Sequence, residues 1–239
     1  MTPSDLPVRL ESAVLRVSRE VPDIGDRGSW LDLDEHALWS ELVACILGSK
    51  VSFEHAKAAA NYLDDIGLLN VTNKRQIGAE FECEVAQALS QPIYPPPTRS
   101  GTGRRYRYAN LRANHIRRSA EAFYQQRNPI KKMLYSAKDP HEARLKIITT
   151  AVGIGPKQAS LFLRNIGYAD NLAILDSHVL KYMVLQAFIP QPLQGVSHIR
   201  TYEKIETRLN QYAMNLRMRL AYLDRVIWVV MRVFQQEFA

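Results

Sequence analysis

The chain has 239 residues, 46% of them hydrophobic, with 31 Lys and Arg against 24 Asp and Glu for a net charge of +7. That length can bury a core as one large or two small domains, and the composition excludes intrinsic disorder. No apolar run approaches the roughly 18 residues that suggest a membrane span, and the N-terminal MTPSDLPVRLESAVLRV lacks a basic segment followed by an uninterrupted apolar stretch. An intracellular protein of the cytoplasm or nucleoid, with no membrane partner, is expected. Cys45 and Cys83 are the two cysteines. They are too few and too far apart for a disulfide framework, a metal knuckle or an iron–sulphur cluster, and both are assigned to the core.

Apolar periods of 3.6 recur from end to end and alternating strands are hard to find, which predicts an all-α fold. Asp34 is placed to cap a helix running to about Leu47, with Leu38, Leu42 and Ile46 on one face. Ser52 is placed to cap the next, which Gly67 closes. A further helix is expected over 79–89. In the following SQPIYPPPTRSGTGRRYRY, four prolines and two glycines rule out regular structure.

From Arg99 to Lys132 the chain carries ten Lys or Arg and one acid, Glu121, so this stretch is +9 and the remainder −2. Clustered cations interleaved with Tyr106, Tyr108 and Tyr124 fit a nucleic-acid footprint, because they gain affinity by releasing condensed counterions. Arg104, Arg105, Arg107 and Arg112 are the candidate DNA contacts; a solvated helix face beside a basic loop is the plain alternative. Within this stretch ANLRANHIRRSAEAFYQQ reads as a helix with Leu111, Ile116, Ala120 and Phe123 inward and its arginines outward. Asn128 with Pro129 opens the next helix, and Asp139 with Pro140 and Glu142 the one after. Near the end, Leu220, Leu223, Ile227, Val230 and Phe234 form one apolar stripe.

Between the helix ending near Val152 and the one starting near Pro156 lies only GIG. Gly153 and Gly155 are expected to permit positive φ and close backbone approach, while Pro156 presets the first helical φ. Such a hairpin points N–H groups at a phosphate without reading base sequence; a purely structural helix–turn–helix accounts for the glycines equally well. Lys157 falls in the first turn, where the positive end of the helix dipole disfavours an ammonium. That cost suggests a use, against the alternative of an ordinary solvated lysine. Nineteen residues on, Asp176 follows the apolar AIL at a capping position for a helix beginning at Ser177, itself a common place for an aspartate.

Taken together, GIGPKQASLFLRNIGYADNLAILDSHVLKYM, residues 153–183, resembles the helix-hairpin-helix and Gly/Pro-Asp signature of the DNA glycosylase superfamily. The nearest likeness is to the archaeal-type 8-oxoguanine DNA glycosylase/AP lyase family. LWSELVACILGSKVS, YANLRANHIRRSAEAF, FLRNIGY and LDRVIWVVMR resemble that family's segments in the same order, so the likeness runs from about Leu38 to Trp228.

The resemblance implies two helical subdomains with a DNA-binding cleft between them. On that basis residues 1–90 supply N-terminal helices, 91–109 a Pro/Gly-rich basic loop, 110–190 the hairpin-bearing catalytic subdomain, and 191–239 helices that pack back on the N-terminal ones. Lys157 matches the superfamily's catalytic lysine and Asp176 its aspartate. A carboxylate near C1′ stabilises a sugar with oxocarbenium character, and an amine attacking C1′ forms a Schiff base that leads to β-elimination. The target nucleotide must leave the base stack for a pocket. Trp228 and Asp224 match base-pocket positions for stacking and hydrogen-bond acceptance, although Trp228 suits the core stripe equally. His178 touches a phosphate or simply packs. The hairpin glycines Gly153 and Gly155 hold the DNA backbone, with a monovalent cation on hairpin carbonyls as the one cofactor implied and no side-chain metal site. A monomer acting on double-stranded DNA with a damaged base is the expected assembly.

Two features depart from the family. Its members end in a lysine that helps recognise 8-oxoguanine, whereas this chain ends FQQEFA, and the insertion around 91–105 is longer than the family's linker. Three functions are therefore carried forward: an 8-oxoguanine glycosylase/AP lyase, the same chemistry on another damaged or modified base as in phage DNA, and a non-catalytic helix-hairpin-helix DNA-binding module.

Overall fold

A computed structural model describes residues 5–23, 28–71, 77–94, 104–190 and 195–237. These form eleven α-helices and a two-stranded ribbon, so the all-α expectation holds. The chain divides into two units, residues 28–168 and residues 1–27 with 169–239. The bounds differ from the expected ones: α1 shares a unit with the C-terminal helices, but the helices between residues 28 and 90 belong with the hairpin, and the chain leaves their unit at Tyr168 rather than near residue 190.

In the unit of residues 28–168, α2 (Glu35–Leu47) is capped by Asp34, whose Oδ1 accepts from the Ala37 N–H at 2.8 Å. Its sequence is apolar almost all round, and Leu38, Trp39, Leu42 and Ile46 are buried against α3 (Phe53–Asp65) and the later hairpin helices. Ser52 caps α3, and Gly67, at φ +77°, ends it with the expected left-handed turn. α4 (Ala79–Leu89) packs on α5 (Ala109–Ala120). Cys45 lies in this core, but Cys83 is exposed on α4 because it falls opposite the Phe81, Val85 and Leu89 face.

The 91–109 segment is not wholly irregular: β1 (Pro92–Tyr94) pairs antiparallel with β2 (Arg104–Arg105). The prolines at 95–97 and both glycines of that loop fall outside the described residues. On α5 the inward face is as expected at Ile116, Ala120 and Phe123 but differs in its first turn. Leu111 is 51% exposed, while Arg112 is 5% exposed and points inward with Ile116, Ala120 and Phe123. A π-turn over Glu121–Gln125 lets Phe123 stay on that face. Asn128 does not cap α6 (Ile130–Tyr135). The carboxylate of Glu35 takes the Ile130 and Lys131 N–H groups instead, at 2.6 and 2.9 Å.

The other unit packs α1 (Leu6–Val17), α9 (Ser177–Leu185), α10 (Ile199–Asn215) and α11 (Leu220–Glu237) around one core. The expected stripe is present. Leu220, Leu223, Ile227 and Val230 are buried and Phe234 packs at its margin. Arg219 pairs with both Asp23 and Asp170, tying the two chain segments that leave this unit. No helix of the described residues is long and apolar enough to cross a membrane.

Candidate active site

The hairpin joins α7 (Pro140–Thr150) to α8 (Pro156–Asn165). Asp139 caps α7 through the Glu142 N–H at 2.8 Å, and Glu142 answers on the Lys138 N–H at 2.9 Å. The turn between the helices is then fixed from outside. Ser119 Oγ accepts from the Val152 N–H at 2.9 Å while donating to the His115 carbonyl. Beneath it, fully buried Arg144 donates to Ser160 Oγ and to His141 Nδ1, bracing α7 against α8.

The two hairpin glycines do different jobs. Gly153 has φ +80°, and a Cβ there would lie 2.1 Å from His115 Nδ1, so both conformation and space require glycine. Gly155 has φ −104° and ψ −179°, extended backbone open to any residue, and nothing lies within 4 Å of the place its Cβ would take. The expectation of positive φ at both is thus corrected to one. As N-cap residue, Gly155 brings no side-chain acceptor, and α8 has no side-chain cap. The backbone N–H groups of Lys157 and Gln158 therefore start the helix without that partner, the arrangement that accommodates an anion. Lys157 is half-buried beside them. Its charge reaches Cys45 on α2, where it works against burial and Glu41, which push that thiol up.

The basic segment splits into internal struts and exposed cations. Arg112 donates to the Ser49 carbonyl and to His115 Nδ1, both at 3.0 Å, so it holds the α2–α3 turn and the hairpin's neighbour rather than facing solvent as a DNA contact should. An arginine is a donor only, so Nδ1 must be the unprotonated nitrogen. Burial first, then Arg112 and Arg118, hold His115 below the usual imidazole range. Arg117 pairs with Glu82 and Glu121, and Tyr106 is buried with its hydroxyl on the Leu47 carbonyl. Arg104, Arg105 and Arg107 remain exposed. With Lys50, Ser52 and His55 they line a cavity of about 260 Å³ at the start of α3.

In the second unit Asp176 is the N-cap of α9, as expected, and its Oδ1 accepts from the His178 and Val179 N–H groups at 2.9 Å each. No described residue donates to Oδ2. His178 meets Trp228 edge to face with ring centroids 6.2 Å apart. Trp228 lies off the core stripe, half-buried, with the Arg232 guanidinium 5.0 Å from its ring centroid. Asp224 is 3% exposed and its Oδ2 accepts from the Ile174 N–H at 2.7 Å. That carboxylate thus serves the segment before Asp176. No cluster of three His, Cys, Asp or Glu suited to a metal occurs among the described residues.

His115, Ser119, Arg144, Tyr202 and Glu206 carry local geometry that sequence reasoning missed. Each acts on a partner many residues away, and no local motif marks them.

A helical body whose glycine hairpin leads into an uncapped helix has the form of a helix-hairpin-helix protein. A family model described as 8-oxoguanine DNA glycosylase matches residues 101–218. The 8-oxoguanine DNA glycosylase/AP lyase of Sulfolobus acidocaldarius is 34% identical over 195 residues, covering 82% of each chain. The chain belongs to the 8-oxoguanine DNA glycosylase/AP lyase family and is a DNA N-glycosylase with AP lyase activity, an enzyme of base-excision repair. In fold it is similar to the crystal structure of the Methanocaldococcus jannaschii 8-oxoguanine DNA glycosylase. The TM-score is 0.66 at 23% identity, with 95% of this chain and 91% of that one covered. The Methanocaldococcus jannaschii glycosylase/lyase in complex with a 15mer DNA containing 8-oxoguanine matches with TM-score 0.63 at 21% identity, over 92% and 87% of the two chains.

Proposed function

We propose that this enzyme releases 8-oxoguanine from double-stranded DNA through a Schiff base on Lys157 and then nicks the strand. The reading is carried by two unlike helix starts, each within its own unit. α8 presents Lys157 in an uncapped first turn, and α9 presents Asp176 with one carboxylate oxygen held by its own helix and the other without a donor among the described residues. In this reading the target nucleotide is extruded from the base stack, and each group has its own task at C1′. Negative charge at Asp176 Oδ2 stabilises the developing positive charge on the sugar. The Lys157 amine, having given up a proton, attacks C1′; the bond to the base breaks and its electron pair leaves with the base, which takes up a proton. The attached nitrogen loses a second proton and its lone pair then expels O4′, which is protonated as the sugar ring opens, and the resulting iminium acidifies C2′. Loss of a C2′ proton breaks the C3′–O3′ bond, nicking the strand on the 3′ side.

The exposed Arg104, Arg105 and Arg107, with Lys50 beside them, bind backbone phosphate, and the amides of the hairpin and α8 take another phosphate without reading sequence. The carbonyls of Val152, Gly153 and Ile154 accept no hydrogen bond from the described residues, which suits a monovalent cation at the hairpin. Trp228 offers a ring face for stacking the extruded base.

Borohydride trapping tests the reading. Duplexes carrying 8-oxoguanine, an abasic site or no lesion are incubated with enzyme, and a covalent adduct is expected on the first two alone. The adduct must vanish in Lys157→Ala; its survival there assigns the nucleophile to another residue. An adduct on the abasic duplex but none on 8-oxoguanine points to the same chemistry on a different base.

A further inference from the structure

The segment that delivers Asp176 is held in an unusual way. Residues 172–175 are mostly buried and belong to no helix or strand, with no strand beside them among the described residues, and the Asp176 N–H closes a tight turn onto the Ile174 carbonyl at 2.9 Å. A buried segment outside helix and sheet leaves its N–H groups in need of acceptors. Here three consecutive ones are met by three side chains from two helices. The Ala173 N–H donates to Glu206 Oε1 at 2.8 Å, the Ile174 N–H to Asp224 Oδ2 at 2.7 Å, and the Leu175 N–H to the Tyr202 hydroxyl at 3.0 Å. Tyr202 donates in turn to the Ala173 carbonyl at 2.7 Å. Tyr202 and Glu206 stand four residues apart on one face of α10, and Asp224 approaches from α11.

All three side chains are buried, Glu206 at 4% and Asp224 at 3% exposure. Placing two carboxyl groups at such depth costs stability unless strong hydrogen bonds repay it. A β-strand partner or a short turn would satisfy the same N–H groups without that cost. What the bracket adds is fixed geometry. It locks successive peptide planes up to the residue before Asp176, and the α9 amides then lock Asp176 Oδ1. The position of Oδ2 is thereby set from both sides.

We infer that Tyr202, Glu206 and Asp224 are positioning residues that hold the 173–175 segment so that Asp176 meets the sugar in its reactive geometry. The inference rests on the catalytic reading of Asp176. A displacement of about 1 Å at a reacting group costs on the order of 100-fold in rate, so loss of one bracket member should lower the chemical step and leave DNA binding alone.

The experiment is a double-mutant cycle read by single-turnover release of 8-oxoguanine from a duplex, with affinity for a duplex carrying an uncleavable abasic analogue measured alongside. Tyr202→Phe removes one hydroxyl and keeps the ring. It is expected to slow base release about 10- to 100-fold with affinity unchanged. Glu206→Ala should do the same, whereas Glu206→Gln, which keeps an Oε1 acceptor for Ala173, should restore the rate to within about threefold. In an Asp176→Asn background, Tyr202→Phe should add little, because the group it positions is already gone. An equal further loss in that background overturns the inference, as does loss of affinity in step with rate. Failure of both Tyr202→Phe and Glu206→Ala to fold would likewise overturn it, making the bracket a matter of stability alone. If Asp176→Asn itself releases base at the wild-type rate, the catalytic reading of Asp176 fails first, and the two failures are told apart.

Discussion

Replacing Gly153 by alanine separates conformation from mere smallness in the hairpin. At φ +80° an alanine pays about 1–2 kcal/mol for the left-handed backbone. Its Cβ would also sit 2.1 Å from Nδ1 and 2.7 Å from Cε1 of His115. That ring cannot simply turn aside, since its Nδ1 accepts from Arg112, which is itself buried and anchored on the Ser49 carbonyl. Forcing a methyl group into a packed site adds about 1–3 kcal/mol. Gly153→Ala should therefore destabilise the 28–168 unit by about 2–5 kcal/mol, read as the shift in urea midpoint at constant m. Gly155→Ala, on extended backbone with open space, should change stability by no more than about 1 kcal/mol, because the entropy alanine removes from the unfolded chain is offset by its poorer performance as an N-cap. Combining Gly153→Ala with His115→Ala should recover the overpacking share and leave the dihedral share. Equal costs at the two glycines would refute the reasoning, since they would mean that the whole hairpin, rather than one left-handed residue against one histidine, sets the requirement.

His115 is held neutral chiefly by burial, with a native pKa below its unfolded value near 6.5. The unfolded chain then takes up the proton first, so this contribution to stability is full above about pH 6.5 and is lost as pH falls through the lower native value. The urea midpoint of the wild type should drop more between pH 7 and pH 5 than that of His115→Asn, and parallel declines would refute the assignment. Neutralising Arg104, Arg105 and Arg107 together should flatten the dependence of DNA affinity on salt by about 0.9 in log–log slope for each phosphate left without its cation. Arg112→Met should leave that slope unchanged while lowering stability by about 3 kcal/mol through loss of two charged hydrogen bonds; a changed slope would return Arg112 to the DNA surface.

What could be read from the sequence was whatever is decided within a few residues. The caps at Asp34, Ser52, Asp139 and Asp176, the left-handed Gly67 and the stripe from Leu220 to Phe234 are all local devices, and each is in place. The misreadings were decided across long separations. Nothing near Asn128 announces that Glu35, some 95 residues before Ile130, will take the amides of α6. Apolar periodicity favours Leu111 as an inward residue of α5, but Arg112 has a carbonyl and an imidazole to bond there, and those two hydrogen bonds hold it inward in the first turn. Asp224 is a base-pocket position only through its match to the family, and no local signal marks the backbone bond it makes. Its partner is a backbone amide 50 residues away. The division of the chain failed for the same reason, since the glycine- and proline-rich loop marks a break in local structure while the two units are defined by which helices share a core.

The starts of α8 and α9 differ in what satisfies their first amides. α9 does so through Asp176, whereas α8 begins at Gly155 with no side chain to do it. A serine at 155 fits the observed dihedrals, φ −104° and ψ −179°, and meets no atom within 4 Å of its Cβ. Its hydroxyl could accept from the Gln158 N–H, and the gain over glycine as a cap is about a few tenths of a kcal/mol. If those amides are kept free for a phosphate, the same cap competes with the DNA. Gly155→Ser should then raise the urea midpoint slightly and weaken affinity for undamaged duplex several-fold at low salt, two changes of opposite sign from one hydroxyl. Higher stability with unaltered affinity would mean that the start of α8 does not meet the DNA backbone, and the hairpin would be a structural turn.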